Sequence, residues 1–209
     1  MALVDTHKLA QTYNHPSKAP WEAVQLYREA AKLPDHWGST RVANAINSSE
    51  GNEFEGVSRS EVRAWVDGDG MPDAARAVGV ARDLGWDADN WTATTEALAK
   101  LVIGIYAFGS ISRDDYRPSW SPDDDETVAE IENTLKSVGV GSQHVARDDE
   151  AQGDEILPAE HLSRLGRALV VAGAPVGDKN ADSVCGLPDW VDDGPMVLRM
   201  DLAVLFVRG

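Results

Sequence analysis

Leu101-Val-Ile-Gly-Ile-Tyr-Ala-Phe-Gly109 is one of the two longest apolar runs in this sequence of 209 residues. Together with Leu98, its large apolar residues recur at helical spacing, and glycine is a residue type that ends helices. The run is far shorter than the roughly 20 apolar residues that a membrane-spanning helix needs. The stretch therefore predicts a core helix of a globular domain, for which we expect residues 94–209, and no membrane segment.

The segments that follow this helix predict an α+β domain. Residues Tyr116–Ser121 and Val140–Ala146 are expected to form strands. Apolar residues at helical spacing predict three further helices, over Val128–Val138, Leu162–Ala172 and Met196–Val207. Residues 173–190 are rich in glycine and proline and predict a loop.

The first 90 residues predict a helical domain. Residues 1–19 are polar and are expected to be irregular, so that the domain covers residues 20–90. Its expected helices are Trp21–Leu33, Ser39–Ile46, Ser58–Val66 and Asp73–Leu84. The chain as a whole is thus predicted to be α+β, with a helical domain first.

The charge of the chain is strongly acidic, with a formal net charge of −16 and a pI near 4.5. Such a balance argues against a simple basic nucleic-acid binder. Only six of the 19 basic residues are lysine, and the acidic residues are spread along the whole sequence. This pattern is typical of a protein from a high-salt cytoplasm, where the acidic surface reflects the solvent. The single cysteine, Cys185, and the lack of an apolar leader also favour a cytoplasmic location.

Residues Thr40–Val66 have the character of a helix-turn-helix, although the turn is longer than the usual three or four residues. Ser58 and Glu61 have the spacing of a capping box, which predicts where the second helix begins. Arginine can bind guanine edges or phosphate, and serine can bond either group. The expected DNA contacts are Arg59 and Arg63 to bases, and Arg41, Ser58 and Ser60 to phosphate. The alternative is a small helical bundle whose exposed face happens to carry arginines.

Other site chemistries lack support in the sequence. Asp67-Gly-Asp-Gly70 is interpreted as a turn, because the further ligands of a calcium loop are missing. The histidines are scattered, no nucleophile elbow surrounds a serine, and no phosphate-binding glycine loop is present. We therefore expect no metal, no cofactor and no catalytic residue.

The C-terminal half of the sequence resembles the LAGLIDADG homing endonucleases over roughly Thr94–Gly209. Residues 101–109, with Ser110-Ile-Ser112, resemble the LAGLIDADG helix and its usual continuation. Tyr116-Arg-Pro-Ser119 lies where the first saddle strand of that family begins. Residues 165–179 resemble the later helix and its Gly-x-Pro-x-Gly-x-Lys segment. Leu187-Pro-Asp-Trp190 resembles the piece before the second LAGLIDADG helix, which residues 201–209 would form.

The sequence departs from this family at the positions that matter for cleavage. The resemblance implies that the penultimate residue of each motif is an acid that binds the divalent metal. Phe108 and Arg208 stand at these positions, and neither side chain can ligate Mg²⁺. We therefore expect that nuclease activity is lost. Small residues would still allow the two motif helices to pair, within one chain or between chains, through Gly104, Ala107 and Ala203. The sequence ends before a second saddle half, so an intact saddle would require two chains.

Ser58–Asp73 also resembles a helix-turn-helix region that accompanies such domains in haloarchaeal proteins. The sequence thus predicts a regulator from a halophilic archaeon that binds double-stranded DNA sequence-specifically. Its LAGLIDADG-like domain is expected to be catalytically inactive and to serve for homodimerisation or added DNA contact. One alternative is an active endonuclease that uses carboxylates outside the motifs, such as Asp114 or Asp115. Another is a protein-interaction module without a DNA role, and the C-terminal domain could also be an unrelated α+β fold.

Overall fold

A computed structural model describes residues 2–15, 18–49, 54, 56–146, 154–177 and 186–208, and only the backbone of Arg208. The chain divides into two compact units. The first, called the N-terminal unit here, is His7–Gly79; the second, the C-terminal unit, is Val80–Gly209 together with Met1–Thr6. The division lies closer to the N-terminus than the expected boundary between residues 90 and 94, and it falls within a helix.

The N-terminal unit is helical. Its helices are α1 (Thr6–Gln11), α2 (Pro20–Ala31), α3 (Ser39–Ser48), α4 (Arg59–Val66) and α5 (Asp73–Asp83), of which α1 and α5 cross the unit boundary. The four helices expected from the sequence are confirmed to within a few residues. Helix α1 corrects the expectation that residues 1–19 are irregular. Only Leu9 and Ala10 are buried in this helix. Two residues are too few to show the helical spacing of apolar residues by which a helix is predicted.

Two apolar clusters hold the N-terminal unit together. Helices α2, α3 and α4 pack on one another around the first cluster, with Leu26, Val42 and Val62 at its centre. The second cluster joins Ala10 of α1 and Val24 of α2 to Val78 of α5. Helices α3 and α4, which cover the predicted helix-turn-helix region, therefore share one core with α2, and both have exposed residues on their outer sides.

The C-terminal unit adds α-helices to one small antiparallel sheet, so the chain is α+β. Its elements in chain order are α6 (Ala93–Phe108), β1 (Gly109–Ile111), β2 (Pro118–Trp120), α7 (Asp125–Ser137), β3 (Ser142–Val145), β4 (Glu155–Pro158), α8 (Leu162–Val171), α9 (Trp190–Asp193) and α10 (Met196–Arg208). The sheet order is β1-β2-β4-β3, with every neighbouring pair antiparallel. The expected strands are confirmed as β2 and β3.

The sequence pattern did not indicate β1 or β4. Gly109 was expected only to end a helix, but it also begins β1 in extended backbone and pairs with Trp120. Strands this short carry too few residues for a period of two to be recognised. Strand β4 also pairs with a strand that is remote in sequence, since Ile156 of β4 lies opposite Trp120 of β2.

Helix α6 is the core of the C-terminal unit, as its apolar sequence predicts. Nine of its residues are buried, and α7, α8, α10 and the sheet all pack against it. Two tryptophans, Trp86 and Trp120, are fully buried in this unit, and their indole N–H groups donate to the carbonyl oxygens of Val138 (2.8 Å) and Leu101 (3.3 Å). Over the described residues, no helix is both long enough and apolar enough to cross a membrane.

Candidate nucleic-acid interface

Helix α4 begins at the capping box that the sequence predicts. The backbone N–H of Ser58 donates to Oε2 of Glu61 at 2.7 Å, and the Ser58 hydroxyl lies 2.8 Å from the same oxygen. Ser60 Oγ is 2.9 Å from Ser58 Oγ. The Ser58 side chain is therefore engaged in starting the helix, which leaves it less suited to the phosphate contact that we expected of it.

Asn47 fixes the connection between α3 and α4. Its side-chain amide donates to the carbonyl oxygen of Val57 at 2.9 Å and accepts from the Val57 N–H at 2.8 Å. This pair of bonds mimics backbone pairing and closes the loop just before the capping box. The loop is longer than the three or four residues of a tight helix-turn-helix, yet α3 and α4 still pack closely on each other.

Asp67, directly after α4, caps the start of α3. Its carboxylate accepts the N–H of Ser39 at 2.9 Å and the Ser39 hydroxyl at 2.6 Å. These hydrogen bonds, helped by the nearby positive charges of Arg59 and Arg63, hold the pKa of Asp67 below its ordinary value of 3.8. Asp67 thus joins the two helices of the motif. Sequence patterns did not predict this role, because Ser39 lies 28 residues away in the chain.

The five expected DNA-contacting residues are all exposed but are not equally free to bind. Arg59 donates through Nε to Ser39 Oγ at 3.1 Å, and its terminal nitrogen lies 3.9 Å from Asp67, although 59% of the side chain stays exposed. The guanidinium of Arg41 lies 3.9 Å from the ring centroid of Trp37. Ser60 and Arg63 project into solvent from α4. The structure therefore favours Arg63 over Arg59 as a side chain that could reach a base.

A half-buried ion cluster, which sequence reasoning missed, holds the first turn of α4. Lys18 Nζ lies 3.1 Å from Glu61 and 2.9 Å from Glu22, and 13% of the Lys18 side chain is exposed. The hydrogen bond to Glu22 and the pairing with Glu61 raise the pKa of Lys18. Burial alone would raise the pKa of Glu61, but the hydrogen bonds from Ser58 and Lys18 outweigh it, so that its pKa is lowered.

We expect Lys18→Met to lower the free energy of unfolding of the N-terminal unit by about 1–2 kcal/mol at neutral pH, between the values for exposed and buried ion pairs. Because the folded pKa of Glu61 lies below its ordinary value of 4.5, this stabilisation is present above pH 4.5 and is lost as the pH falls through the folded pKa. The deficit of the variant should therefore shrink on acidification. Urea unfolding between neutral and acidic pH measures it.

Lys32→Met is the matched control, because Lys32 pairs with Glu29 at a site where 67% of the lysine side chain is exposed. We expect this control to cost less than about 0.5 kcal/mol. Equal losses in the two variants would contradict the structural role of Lys18.

Charge is distributed unevenly between the two units. The N-terminal unit, residues 7–79, has eight lysines and arginines against ten acidic residues, a net charge of −2. The remaining residues have 11 basic against 25 acidic side chains, a net charge of −14. The unit that presents α4 is therefore nearly neutral, and it is the less repulsive of the two for a polyanion.

The two motif helices, α6 and α10, do pack on each other within one chain. The expectation that Gly104, Ala107 and Ala203 form this contact is corrected by the structure. Gly104 faces Trp120: a Cβ built on it would lie 3.0 Å from the indole and 3.4 Å from Ile131. Ala203 is exposed, and Ala107 is only partly buried. The buried side of α10 instead has large residues, namely Leu198, Leu202 and Leu205. An ion pair of 3.2 Å between Lys100 of α6 and Asp201 of α10 lies beside them.

Of the two carboxylates nearest the first motif, Asp115 has structural partners. Asp115 accepts the backbone N–H of Arg117 at 3.2 Å, and a hydrogen bond from Ser112 lowers its pKa. Asp114 is exposed in the same turn. In the part of the chain that the structure describes, no three His, Cys, Asp or Glu side chains cluster as a metal site would require. Cys185, residues 178–179 of the resembling segment and the side chain of Arg208 lie outside the described residues.

Comparisons of the chain with protein-family models, with curated proteins and with solved structures gave no match.

Proposed function

We propose that the protein binds double-stranded DNA sequence-specifically and acts as a transcriptional regulator in the cytoplasm of a halophilic archaeon, without a cofactor. The observation that carries the proposal is the construction of α4. A capping box, an ion cluster and the Asp67–Ser39 hydrogen bonds fix a short helix whose outer face presents Ser60 and Arg63. A rigid helix with exposed arginine and serine has the chemistry to enter a major groove.

The roles of the five candidate residues differ in this proposal. Arg63 reads a base edge, and Ser60 bonds a base or a phosphate. Arg41, stacked on Trp37, contacts phosphate with a guanidinium of fixed orientation. Arg59, which we first expected to contact a base, has a positioning role between Ser39 and Asp67 in this proposal. Its exposed nitrogen atoms are available to contact phosphate. Ser58 supports the helix start.

The C-terminal unit is, in this proposal, a LAGLIDADG-type domain that no longer cleaves DNA. Two observations support it: the residues resembling the two motif helices form α6 and α10, and these helices pack together in one chain. Phe108, at the last residue of α6, stands where the family's metal-binding acid is expected.

The acidic surface is compatible with DNA binding at high salt. The Debye length is about 3 Å at 1 M salt, so that repulsion from distant carboxylates is screened. Counterion release, which drives most nonspecific binding, also contributes little there. Hydrogen bonds and close packing between α4 and the DNA would then supply the affinity. The strength of these contacts depends on the DNA sequence.

A binding selection from random duplex DNA in about 1 M KCl tests the proposal. We expect the full chain to enrich one motif. Arg63→Ala should weaken binding to that motif about 10- to 100-fold and relax the preference at one base position, since a good bidentate contact contributes about 1–3 kcal/mol of discrimination. Arg59→Ala is a less direct test, because that side chain also supports the α3–α4 contact.

Arg82→Ala is the matched control for Arg63→Ala. It also removes one half-exposed arginine from a helix surface, but Arg82 pairs with Asp87 in the acidic C-terminal unit. The control should leave affinity and motif unchanged. If the wild-type chain enriches no motif, sequence-specific DNA binding is contradicted. If Arg63→Ala and Arg82→Ala lose the same affinity, the loss is due to net charge.

A further inference from the structure

A cavity of about 230 Å³ opens in the N-terminal unit where α2, α3 and α4 meet. Its aromatic lining consists of Tyr27 of α2, Trp37 of the loop between α2 and α3, and Trp65 of α4, and α3 contributes Val42. Drug-sized ligands occupy cavities of roughly 300–1,000 Å³. This cavity therefore suits a smaller molecule, which would contact all three helices.

The aromatic rings of the cavity are held in place by the fold. The ring centroids of Tyr27 and Trp65 are 5.8 Å apart, and the ring planes are inclined by 75°. Such an edge-to-face contact is a favoured arrangement of aromatic pairs. Trp37 and Trp65 also pack against the first apolar cluster, although all three rings belong to residues that are only partly buried. The rings thus form a preorganised lining whose members stand at different inclinations.

The charge of the lining favours a cation. Asp35 is exposed, and it is the one Asp, Glu, Lys, Arg or His among the described residues that line the cavity. The faces of aromatic rings attract cations as well. Trp37 illustrates this, because the guanidinium of Arg41 lies 3.9 Å from its ring centroid. Since Arg41 is engaged with Trp37, a bound cation would lie mainly against Tyr27 and Trp65, with Asp35 near it.

We propose that this cavity, called the aromatic cavity here, binds a small organic cation with a quaternary ammonium group. Such a group has no N–H to donate, and aromatic faces are the surface that proteins use to recognise it. Its rounded shape suits rings at a steep angle, whereas a flat molecule would stack on one ring. A primary ammonium is strongly hydrated, and a metal ion needs several oxygen ligands. Asp35 alone, among the described lining residues, supplies a carboxylate.

Choline and its uncharged isostere, in which a quaternary carbon replaces the nitrogen, test the proposal, because the two molecules share one shape. Proton–nitrogen NMR spectra of the full chain, at constant salt, show the indole N–H groups. We expect choline to shift the Trp37 and Trp65 signals saturably and to bind about tenfold more tightly than the isostere. The signals of Trp86 and Trp120, which are buried in the C-terminal unit, should not move. Trp37→Phe and Trp65→Phe assign the two signals.

Asp35→Asn removes the carboxylate and keeps the shape of the side chain. We expect it to weaken choline binding about fivefold, the effect of a charge pair at about 4 Å in water, and to leave binding of the isostere unchanged. Asp69→Asn is the matched control, because it makes the same change of charge at an exposed residue of the same unit that does not line the cavity. Both aspartates are exposed, so neither variant should unfold the unit.

Two results would overturn the proposal. One is the absence of a saturable shift of the Trp37 and Trp65 signals with choline, or an equal affinity for choline and its isostere. The other is an equal loss of affinity in Asp35→Asn and Asp69→Asn, since the attraction would then come from net charge and not from the cavity. DNA is absent from these measurements, and the site does not depend on DNA binding, so their failure is separate from failure of the proposed function.

Discussion

Gly166→Ala is expected to destabilise the C-terminal unit by about 3 kcal/mol or more, at or beyond the upper end of the usual overpacking costs. Gly166 is a buried residue of α8, and the backbone of the β1–β2 turn lies directly against it. A Cβ at this position would be 1.8 Å from the carbonyl oxygen of Tyr116 and 3.1 Å from Pro118. The obstacle is backbone, so no side-chain rotation can relieve the clash.

The turn itself has little freedom to move away. Tyr116 has a φ of 56°, a left-handed conformation that is rare for a non-glycine residue and costly to rearrange. Its N–H donates to the carbonyl oxygen of Ser112, and Arg167 of α8 stacks on its ring with 3.9 Å between the guanidinium carbon and the ring centroid. Moving α8 to admit a methyl group would disturb the sheet and this stacking together.

Urea unfolding at constant KCl, followed by tryptophan fluorescence, measures the change. Gly79→Ala is the matched control: Gly79 lies within α5, and a Cβ there meets no atom within 4 Å. The same substitution should stabilise that helix by about 0.5–1 kcal/mol, because glycine is the poorer helix former. A loss below about 1 kcal/mol in Gly166→Ala would mean that α8 does not pack against the turn as described.

Local patterns account for most of what the sequence predicted correctly. The capping box of Ser58 and Glu61 is a bond between residues three apart, and it fixed the start of α4 to the residue. The periodic apolar residues of α6 predicted both a helix and its place in the core. These features depend on neighbours along the chain, which sequence reasoning can inspect directly.

Contacts between remote residues account for what was missed. Asp67 caps a helix that begins 28 residues earlier, and Lys18 pairs with a glutamate beyond two intervening helices. The same limit explains the error at Gly104. A small residue on a core helix predicts that something approaches closely, but it does not say whether the neighbour is another helix or a tryptophan from the sheet.

Trp120→Ala is expected to lower the free energy of unfolding by about 3–5 kcal/mol, the range for removing a buried tryptophan side chain. Trp120 is fully buried on β2, and its indole N–H donates to the carbonyl oxygen of Leu101. Two glycines make space for the ring: a Cβ on Gly104 would lie 3.0 Å from it, and one on Gly109 would lie 2.9 Å from it. A cavity at this position would separate α6 from the sheet.

A double-mutant cycle decides whether Gly104 accommodates Trp120 or serves helix pairing. Gly104→Ala should cost about 1–3 kcal/mol in the wild-type background, since the new methyl group presses on the indole. In a Trp120→Phe background, the smaller ring leaves space, and the cost should fall by about 0.5–3 kcal/mol, the usual coupling between residues in contact. If Gly104 instead allowed α10 to approach α6, Gly104→Ala would cost the same in both backgrounds. Urea unfolding of the four proteins in one buffer therefore separates the two roles. If the costs of the two substitutions are additive, the result supports the helix-pairing role that we first expected of Gly104.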